Sequence, residues 1–243
     1  MTRMARGRDT HLAREEIAAE ALRQFDEGSG DPSIRQLATA LGVAPSAIYH
    51  HFASRGEIIG AALDLVWQEI TIEVATAFDD PFTADPVEVL VTSGLATRRA
   101  FVRHYRIAQY MAAIPQADAI RANTIALTAN LFERMGISGE DAATPFHAYA
   151  TYTLGTSLFA ATRQIANQQL AIGGPDGKPG ERFRSVPHPA LASQSDEATR
   201  AALDDIMDLS AFDPERDIEL FEFNLRRIIA TFDAERLTDG AQA

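Results

Sequence analysis

Residues 33–52, SIRQLATALGVAPSAIYHHF, contain the pattern that most restricts how this chain can fold. The pattern begins with a short helix whose apolar residues share one face: Ile34, Leu37, Ala38 and Leu41. Ser33 and Gln36 form a capping box at the start of this helix. Gly42 can end it, because glycine adopts the left-handed turn conformation without steric cost. Pro45 suits the first position of a second helix, so the stretch predicts a helix-turn-helix.

The two predicted helices must cross closely through this turn. Ala38 is small enough to allow the approach, Val43 fills the space beneath the turn, and Ile48 anchors the second helix. These inward positions leave a second set of residues on or near the exposed side: Pro45, Ser46, Ala47, Tyr49, His50 and His51. We expect this side to face whatever the motif binds.

The rest of the chain also spaces its apolar residues as helices do, and no stretch alternates as a strand does. Helices are predicted at about 10–27, 54–78, 86–111, 117–135, 139–171 and 196–208, and from Pro214 onward. Ser54 and Glu57 form a second capping box at the start of the long helix. The sequence therefore predicts an all-α fold.

Glycine and proline mark one long interruption of the helical pattern. Residues 172–190 contain four glycines and four prolines, and such a length without secondary structure is uncommon in compact domains. We predict a mobile loop over 172–195. The predicted organisation is an N-terminal three-helix domain with the helix-turn-helix over residues 1–53, and a larger helical C-terminal domain over 54–243.

The charge is unevenly distributed along the chain. The formal net charge is -12, of which residues 1–60 contribute -1 and the remainder -11. Within residues 1–14 the balance is +3, because four arginines outnumber Asp9. The acidic residues are thus concentrated away from the helix-turn-helix, and an acidic C-terminal domain opposes non-specific adhesion to polyanions.

Several classes of protein are excluded by what the sequence lacks. It has no cysteine, which excludes disulfides and thiolate metal sites. No apolar run approaches the roughly 20 residues that span a bilayer. The polar, basic N-terminus does not resemble a secretory signal, so we expect a cytoplasmic protein with no membrane partner.

Catalytic and metal-binding patterns are also missing. The sequence has no G-x-S-x-G, no Walker loop, no H-E-x-x-H and no dinucleotide fingerprint. We therefore predict that the chain is not an enzyme and takes no cofactor. His50 and His51 are adjacent, but neighbours on a helix do not face the same way, so the sequence predicts no metal site.

The helix-turn-helix and the residues after it resemble the DNA-binding signature of the TetR family of transcriptional regulators. The resemblance rests on the run Ile34-x-x-Leu37-Ala38-x-x-Leu41-Gly42-Val43-Ala44-x-x-x-Ile48-Tyr49-x-His51-Phe52-x-Ser54-Arg55. Members commonly show a Gly-Val turn, then Leu/Ile-Tyr-x-His-Phe, then Ser-Lys-Glu. This chain departs from the pattern at Arg55, where lysine is more usual, and at Gly56, where an acidic or polar residue is.

The resemblance implies that the chain binds double-stranded operator DNA. By this resemblance Tyr49 and His51 contact phosphates, and Arg35 reaches a base edge. Arg55 binds phosphate through the several N–H donors of its planar guanidinium group. The predicted DNA-binding residues are Ser33, Arg35, Pro45, Ser46, Ala47, Tyr49, His50, His51 and Arg55. Arg3, Arg6 and Arg8 are candidates for an arm that contacts the DNA backbone or the minor groove. Three alternatives stay open: Arg35 as a solvated surface charge, Tyr49 as a core residue, and this arm as disordered and idle.

Operators of this family are usually palindromic, so the resemblance also implies a homodimer. Two helical stripes are candidates for the dimer interface: Tyr149, Tyr152, Thr156, Phe159 and Arg163, and Phe221, Leu225, Ile228 and Phe232. Gly155 would permit a close helix crossing. Packing within one protomer explains the same stripes.

The C-terminal half resembles, more loosely, the corresponding domain of tetracycline repressors, through residues 152–155 and 221–225. Those repressors bind a magnesium chelate through a histidine and an acidic residue, whereas this chain has Met111 and Phe159-Ala160 at the matching places. Neither ligates a hard cation, so we expect a largely apolar small-molecule effector instead. The residues expected to line its site are Trp67, Thr71, Ser93, Thr97, Phe101, Met111 and Phe159.

Together these observations predict a repressor that a small-molecule inducer releases from its operator. The effector would favour one arrangement of the C-terminal domain and so change the separation of the two DNA-binding domains. The alternative is an activator, or a regulator that responds to a protein partner.

Overall fold

The computed structural model describes residues 13–28, 31–111, 113–114, 117–172, 196–201 and 214–232. Its α-helices are α1 (Arg14–Glu27), α2 (Ile34–Leu41), α3 (Pro45–Tyr49), α4 (Arg55–Ala77), α5 (Pro86–Arg103), α6 (Tyr105–Ala108), α7 (Asp118–Arg134), α8 (Ala143–Ile172) and α9 (Pro214–Ile229). A 3₁₀ turn at Gly139–Ala142 precedes α8. The described residues contain no strand, which confirms the predicted all-α fold class.

Some sequence predictions fall outside the described residues. These are the arm with Arg3, Arg6 and Arg8, the loop predicted at 172–195 apart from its first residue, and most of the helix predicted at 196–208. Residues 197–201 of that last segment are helical.

Helices α1, α2 and α3, within residues 13–53, form a unit that we call the head. From α1, Ile17, Ala21 and Phe25 are buried, and from α2 Leu37 joins the same cluster. Ile48 is the buried residue of α3 and is fully covered. A short helix cannot be stable alone, so this shared apolar cluster is what holds the three together.

The local signals predicted for the helix-turn-helix are all present. The Ser33 hydroxyl accepts from the Gln36 amide at 3.2 Å, and the Gln36 side chain accepts from the Ser33 amide at 2.8 Å. Gly42 ends α2 with φ 68° and ψ 29°, in the left-handed region. The amide of Val43 donates to the Ala38 carbonyl at 3.0 Å and so closes the turn.

Helix α4 starts as predicted, with one difference at its cap. The Ser54 hydroxyl accepts from the Glu57 amide at 3.2 Å, but the Glu57 carboxylate accepts from Ala53 at 3.1 Å rather than from Ser54 itself. The extended backbone of Ser54, with φ -149°, places the preceding amide within reach of the carboxylate. The buried residues of α4 are Ile58, Ile59, Ala62, Leu63, Val66, Trp67, Ile70 and Val74, which continue the core from the head into the C-terminal helices.

The prediction of one helix over 86–111 is wrong. Helix α5 ends at Arg103, and His104 takes a non-helical conformation with φ -98° and ψ 38° before the short helix α6. The break turns the chain so that both ring nitrogens of His104 reach carboxylates on other helices, Asp26 and Glu69. The His104 amide still donates to the Ala100 carbonyl at 2.8 Å, so the end of α5 keeps this backbone bond while the ring makes its tertiary contacts.

Helices α4–α9 form the larger unit, which we call the body. Its centre is the packing of α5 against α8 and α9, where Tyr152 stacks on Phe221 with ring centroids 5.4 Å apart. Trp67 and Phe101 meet edge to face at 5.7 Å between α4 and α5. Within the described ranges, no helix is both long and apolar enough to cross a membrane.

Candidate nucleic-acid interface

The surface of α3 opposite the core is exposed, as the helix-turn-helix pattern predicts. Tyr49 is 57% exposed, whereas Ile48, one residue earlier, is fully buried. Phe52 is buried as well, under the Arg14 guanidinium at 4.0 Å from its ring centroid. An aromatic side chain left in solvent beside two buried apolar ones is unusual for a core residue, so the core interpretation of Tyr49 is not supported.

Most of the predicted DNA-binding residues are accessible to solvent. Six are exposed and belong to α2, to α3 or to the residues beside them: Ser33, Arg35, Pro45, Ser46, Tyr49 and His50. Ala47 and His51 are half-buried. The His51 carbonyl accepts a hydrogen bond from Arg14, which ties the end of α3 to the start of α1. The structure therefore presents these residues on one small unit.

Arg35 and Ser33 lie at the start of α2. Arg35 forms part of the wall of an open groove of about 680 Å³ between α1 and α2, which also contains Arg23 and Thr39. The Ser33 hydroxyl and amide are both used in the capping box. The cap thus occupies the Ser33 amide, whereas the hydroxyl only accepts there and can still donate its proton to a phosphate.

Arg55 makes contacts that the sequence did not indicate. Its Nη2 lies 2.8 Å from Asp31 Oδ2, and its Nε donates to the Pro32 carbonyl at 3.2 Å. Tyr110, from the segment after α6, donates its hydroxyl to the same Asp31 carboxylate. Burial alone would raise the pKa of the Asp31 carboxyl group. The hydrogen bonds from Tyr110 and Arg55 outweigh this effect and hold that pKa below its usual range. Arg55 therefore links the head to the body as well as facing solvent.

Only some of the residues predicted to line an effector site lie together in the core of the body. Trp67, Thr97 and Phe101 are buried, and the Thr97 hydroxyl donates to the Ser93 carbonyl at 2.8 Å. Met111 is half-buried against the same core. Among the described residues, the Trp67 indole N–H is a buried donor for which no hydrogen-bond partner is found.

Two members of that set lie elsewhere. Thr71 is exposed, and its hydroxyl donates back to the Trp67 carbonyl at 2.9 Å. Phe159 is 59% exposed on α8, where Arg163 lies over its ring at 5.9 Å. These two side chains face solvent rather than the interior of the body.

The stripes predicted for dimerisation are mostly internal to the protomer. Phe221, Leu225 and Phe232 of the last stripe are buried. The hydroxyls of Tyr149 and Tyr152 donate to the carbonyls of Leu90 and Phe221, at 2.9 and 3.3 Å. These five residues make contacts within the protomer, as the core explanation of the stripes predicts.

Other apolar residues of α8 and α9 are exposed instead. They are Phe146 and Phe159 on α8, and Leu220 and Phe223 on α9. In the part of the chain that the structure describes, no group of histidine or acidic residues could hold a metal ion.

Comparison with known families agrees with this geometry. Residues 16–62 match the family model of bacterial regulatory proteins, tetR family, which spans the head and the first two turns of α4. No match was found among curated proteins.

The fold is similar to that of several solved structures. Apo ActR from Streptomyces coelicolor has a TM-score of 0.64 at 22% identity, over 94% of this chain and 98% of that chain. ActR in complex with actinorhodin has a TM-score of 0.63 at 22% identity, over 93% and 98%. BioQ with its natural double-stranded DNA operator has a TM-score of 0.50 at 24% identity, over 66% and 94%. These likenesses show a shared fold.

Proposed function

From the match of residues 16–62 to bacterial regulatory proteins of the tetR family, we propose that this chain is a DNA-binding transcriptional regulator, a homodimeric repressor that a small-molecule effector releases from a palindromic operator. The exposure of Tyr49 is the observation that carries the operator contact. A large aromatic with a polar tip, held in solvent by a rigid helix, is suited to a phosphate contact. BioQ, which was solved with its operator, supports the same use of this fold.

We place the boundary between the DNA-binding and effector-binding domains between residues 53 and 54, where Ser54 caps the start of α4. Helix α4 contributes buried residues to one continuous core that includes both the head and the body. A rearrangement of the helices in the body would therefore change the position of the head through α4.

Operator contact is tested with variants of the two exposed residues that matter most. With the DNA upstream of the chain's own coding sequence as probe, we expect Tyr49→Ala and Arg35→Ala each to raise the Kd about tenfold, or about 1.4 kcal/mol. Arg35→Ala should also relax sequence preference, because arginine reads guanine edges. Fluorescence anisotropy at fixed salt measures both effects.

The matched control is Arg121→Ala, an exposed arginine on α7 outside the head. It removes the same charge and should leave the Kd unchanged. If no upstream fragment bound the chain, or if the head variants bound as well as the control, operator binding by this surface would be contradicted.

For dimerisation we propose the outer faces of α8 and α9 rather than the buried stripes. Phe159 and Gly155 lie on α8, and a Cβ added at Gly155 would meet no other atom within 4 Å. Leu220 and Phe223 lie on α9, with Phe223 56% exposed. Two such helices from each protomer would bury these apolar side chains in a four-helix interface.

A charge on this face should separate the protomers. We expect Phe223→Glu to convert a dimer into a monomer in size-exclusion chromatography with light scattering, because a carboxylate buried at an interface is strongly unfavourable. Phe82→Glu is the control, since Phe82 is also an exposed phenylalanine but lies between α4 and α5. A Phe223→Glu protein that remained dimeric would rule out this interface.

We propose that the effector binds within the body beside Trp67, the only tryptophan of the chain. The apolar neighbours favour a largely apolar molecule, and the unpaired indole N–H favours one that carries a hydrogen-bond acceptor. ActR, solved with actinorhodin, supports a ligand site in this fold. Quenching of the Trp67 fluorescence would report binding directly.

A further inference from the structure

A buried histidine lies where the body meets the head. His104, at the break between α5 and α6, is 6% exposed. Its Nδ1 is 3.0 Å from both carboxylate oxygens of Asp26, near the end of α1. Its Nε2 is 2.9 Å from Oε2 of Glu69, in the middle of α4. One imidazole ring thus connects α1, α4 and the corner between α5 and α6.

The two carboxylate contacts can both be hydrogen bonds in only one protonation state of the ring. A neutral imidazole has one N–H and one lone pair, whereas an imidazolium has two N–H donors. With a carboxylate at each nitrogen, a neutral ring would donate to one and place its lone pair against the other. Only the imidazolium donates to Asp26 and Glu69 at once, and charge-assisted bonds of this kind are stronger than neutral ones.

Other charged groups surround this ring and reinforce the connection. Arg103, at the end of α5, pairs with Glu69. Arg106, on α6, donates from Nη1 to the Asp26 carbonyl at 2.6 Å, and its guanidinium lies 4.7 Å from the Tyr105 ring centroid. The charged groups that contact the ring or its partners are therefore Asp26 from α1, Glu69 from α4, Arg103 from α5 and Arg106 from α6.

Helix α1 connects this ring to the proposed DNA-binding surface. Ile17, Ala21 and Phe25 of α1 share one buried cluster with Leu37 of α2 and Ile48 of α3. Arg14, at the other end of α1, is bonded to the His51 carbonyl just after α3. A change in how α1 is held at Asp26 would therefore change how α3 is presented.

We propose that His104 is a positioning residue for operator binding, and that its imidazolium form holds the head in the orientation that binds DNA. When the ring loses its proton, one of its two carboxylate contacts is lost and α1 is held less firmly. Operator affinity then falls as the pH rises. The inference rests on the proposed function only in that its second measurement uses operator binding.

The first measurement needs no DNA. In the full-length protein with ¹⁵N-labelled histidine, the ring signals of His104 are assigned by their absence from His104→Gln. We expect both ring nitrogens to carry protons at about pH 6, because each then donates to a carboxylate. A ring with a single protonated nitrogen near pH 6 would contradict the proposal that His104 donates to Asp26 and Glu69 at once.

The second measurement compares operator affinity at about pH 6 and about pH 8 at constant ionic strength. With the upstream DNA as probe, we expect the Kd of the wild type to rise about fivefold more than that of His104→Gln. The exposed residue His147 gives the matched control, because His147→Gln removes a histidine from α8 without touching the ring contacts. His147→Gln should keep the wild-type pH profile, and the contribution of His50 and His51 in the head is common to all three proteins.

Two further variants guard against a folding defect in His104→Gln. Glu69→Gln and Asp26→Asn keep His104 but remove one carboxylate each, and both should reduce the pH-dependent part of the affinity. Equal pH profiles in the wild type and in all three variants would overturn the inference. If no upstream fragment bound at either pH, the proposed function would be contradicted. The ring signals would still show whether His104 donates to both carboxylates.

Discussion

Replacing Asp217 with alanine is expected to destabilise the protein by about 3 kcal/mol, because it leaves a buried arginine without its counter-charge. Arg98, on α5, is 4% exposed, and its Nε donates to Asp217 Oδ2 of α9 at 3.0 Å. The same guanidinium donates to the Thr156 carbonyl of α8 and lies 5.3 Å from the Phe221 ring centroid. One side chain thus joins three helices of the body.

The free energy of unfolding, measured by urea denaturation followed by circular dichroism, tests this expectation. Arg121→Ala is the control, since Arg121 forms an exposed pair with Asp118 on one helix, and its loss should change stability by less than about 1 kcal/mol. Asp217→Asn should fall between the two, because an amide oxygen can still accept from Arg98. An Asp217→Ala protein as stable as the control would mean that water reaches and solvates Arg98.

The second large effect is expected where α5 and α9 approach most closely. Leu225 is fully buried, and truncation to alanine should cost about 2–5 kcal/mol through lost burial and the cavity left behind. Gly94 faces it on α5, and a Cβ at Gly94 would overlap Leu225 Cδ2. Gly94→Ala should therefore cost about 1–3 kcal/mol by overpacking, although alanine is the better helix former.

The two changes should compensate each other when combined. In Gly94→Ala/Leu225→Ala the new methyl group occupies part of the space that the leucine vacates, so the double variant should lose less than the sum of the single losses. Gly56→Ala is the matched glycine control, because its Cβ would meet only Ser54 Oγ at 3.7 Å. Strictly additive losses would show that the two positions do not share this contact.

The helix-turn-helix could be predicted residue by residue because its signals are local. The Ser33–Gln36 capping box and the left-handed Gly42 involve residues three to five positions apart. The burial of Leu37 and Ile48 follows from helical spacing once the turn is known. The exposure of Tyr49 follows from the same geometry.

The break at His104 could not be predicted, because apolar spacing continues through it. Phe101, Tyr105 and Ala108 keep the three- and four-residue intervals of one helix and are all buried. At the break the His104 ring contacts Asp26 and Glu69, 78 and 35 residues away. Nothing in the local sequence indicates either partner.

The dimer stripes illustrate a related limit. Helices α8 and α9 each have apolar residues on two sides, and periodicity cannot say which side packs within the protomer. The stripe with Phe221 and Leu225 is internal, and Phe159 and Phe223 are the ones left in solvent. Arg55 is a third case, since its pairing with Asp31 depends on how the head sits on α4.

The sequence by itself determined the helix-turn-helix, the all-α class and which side of α3 is exposed. These depend on backbone preferences and on hydrogen bonds within one turn of helix, which a short stretch encodes completely. The tertiary structure alone decided how the head is held on the body, through His104, and how α9 is held on α5, through Arg98. Such contacts join residues far apart in the chain, and only the folded packing brings their charges together.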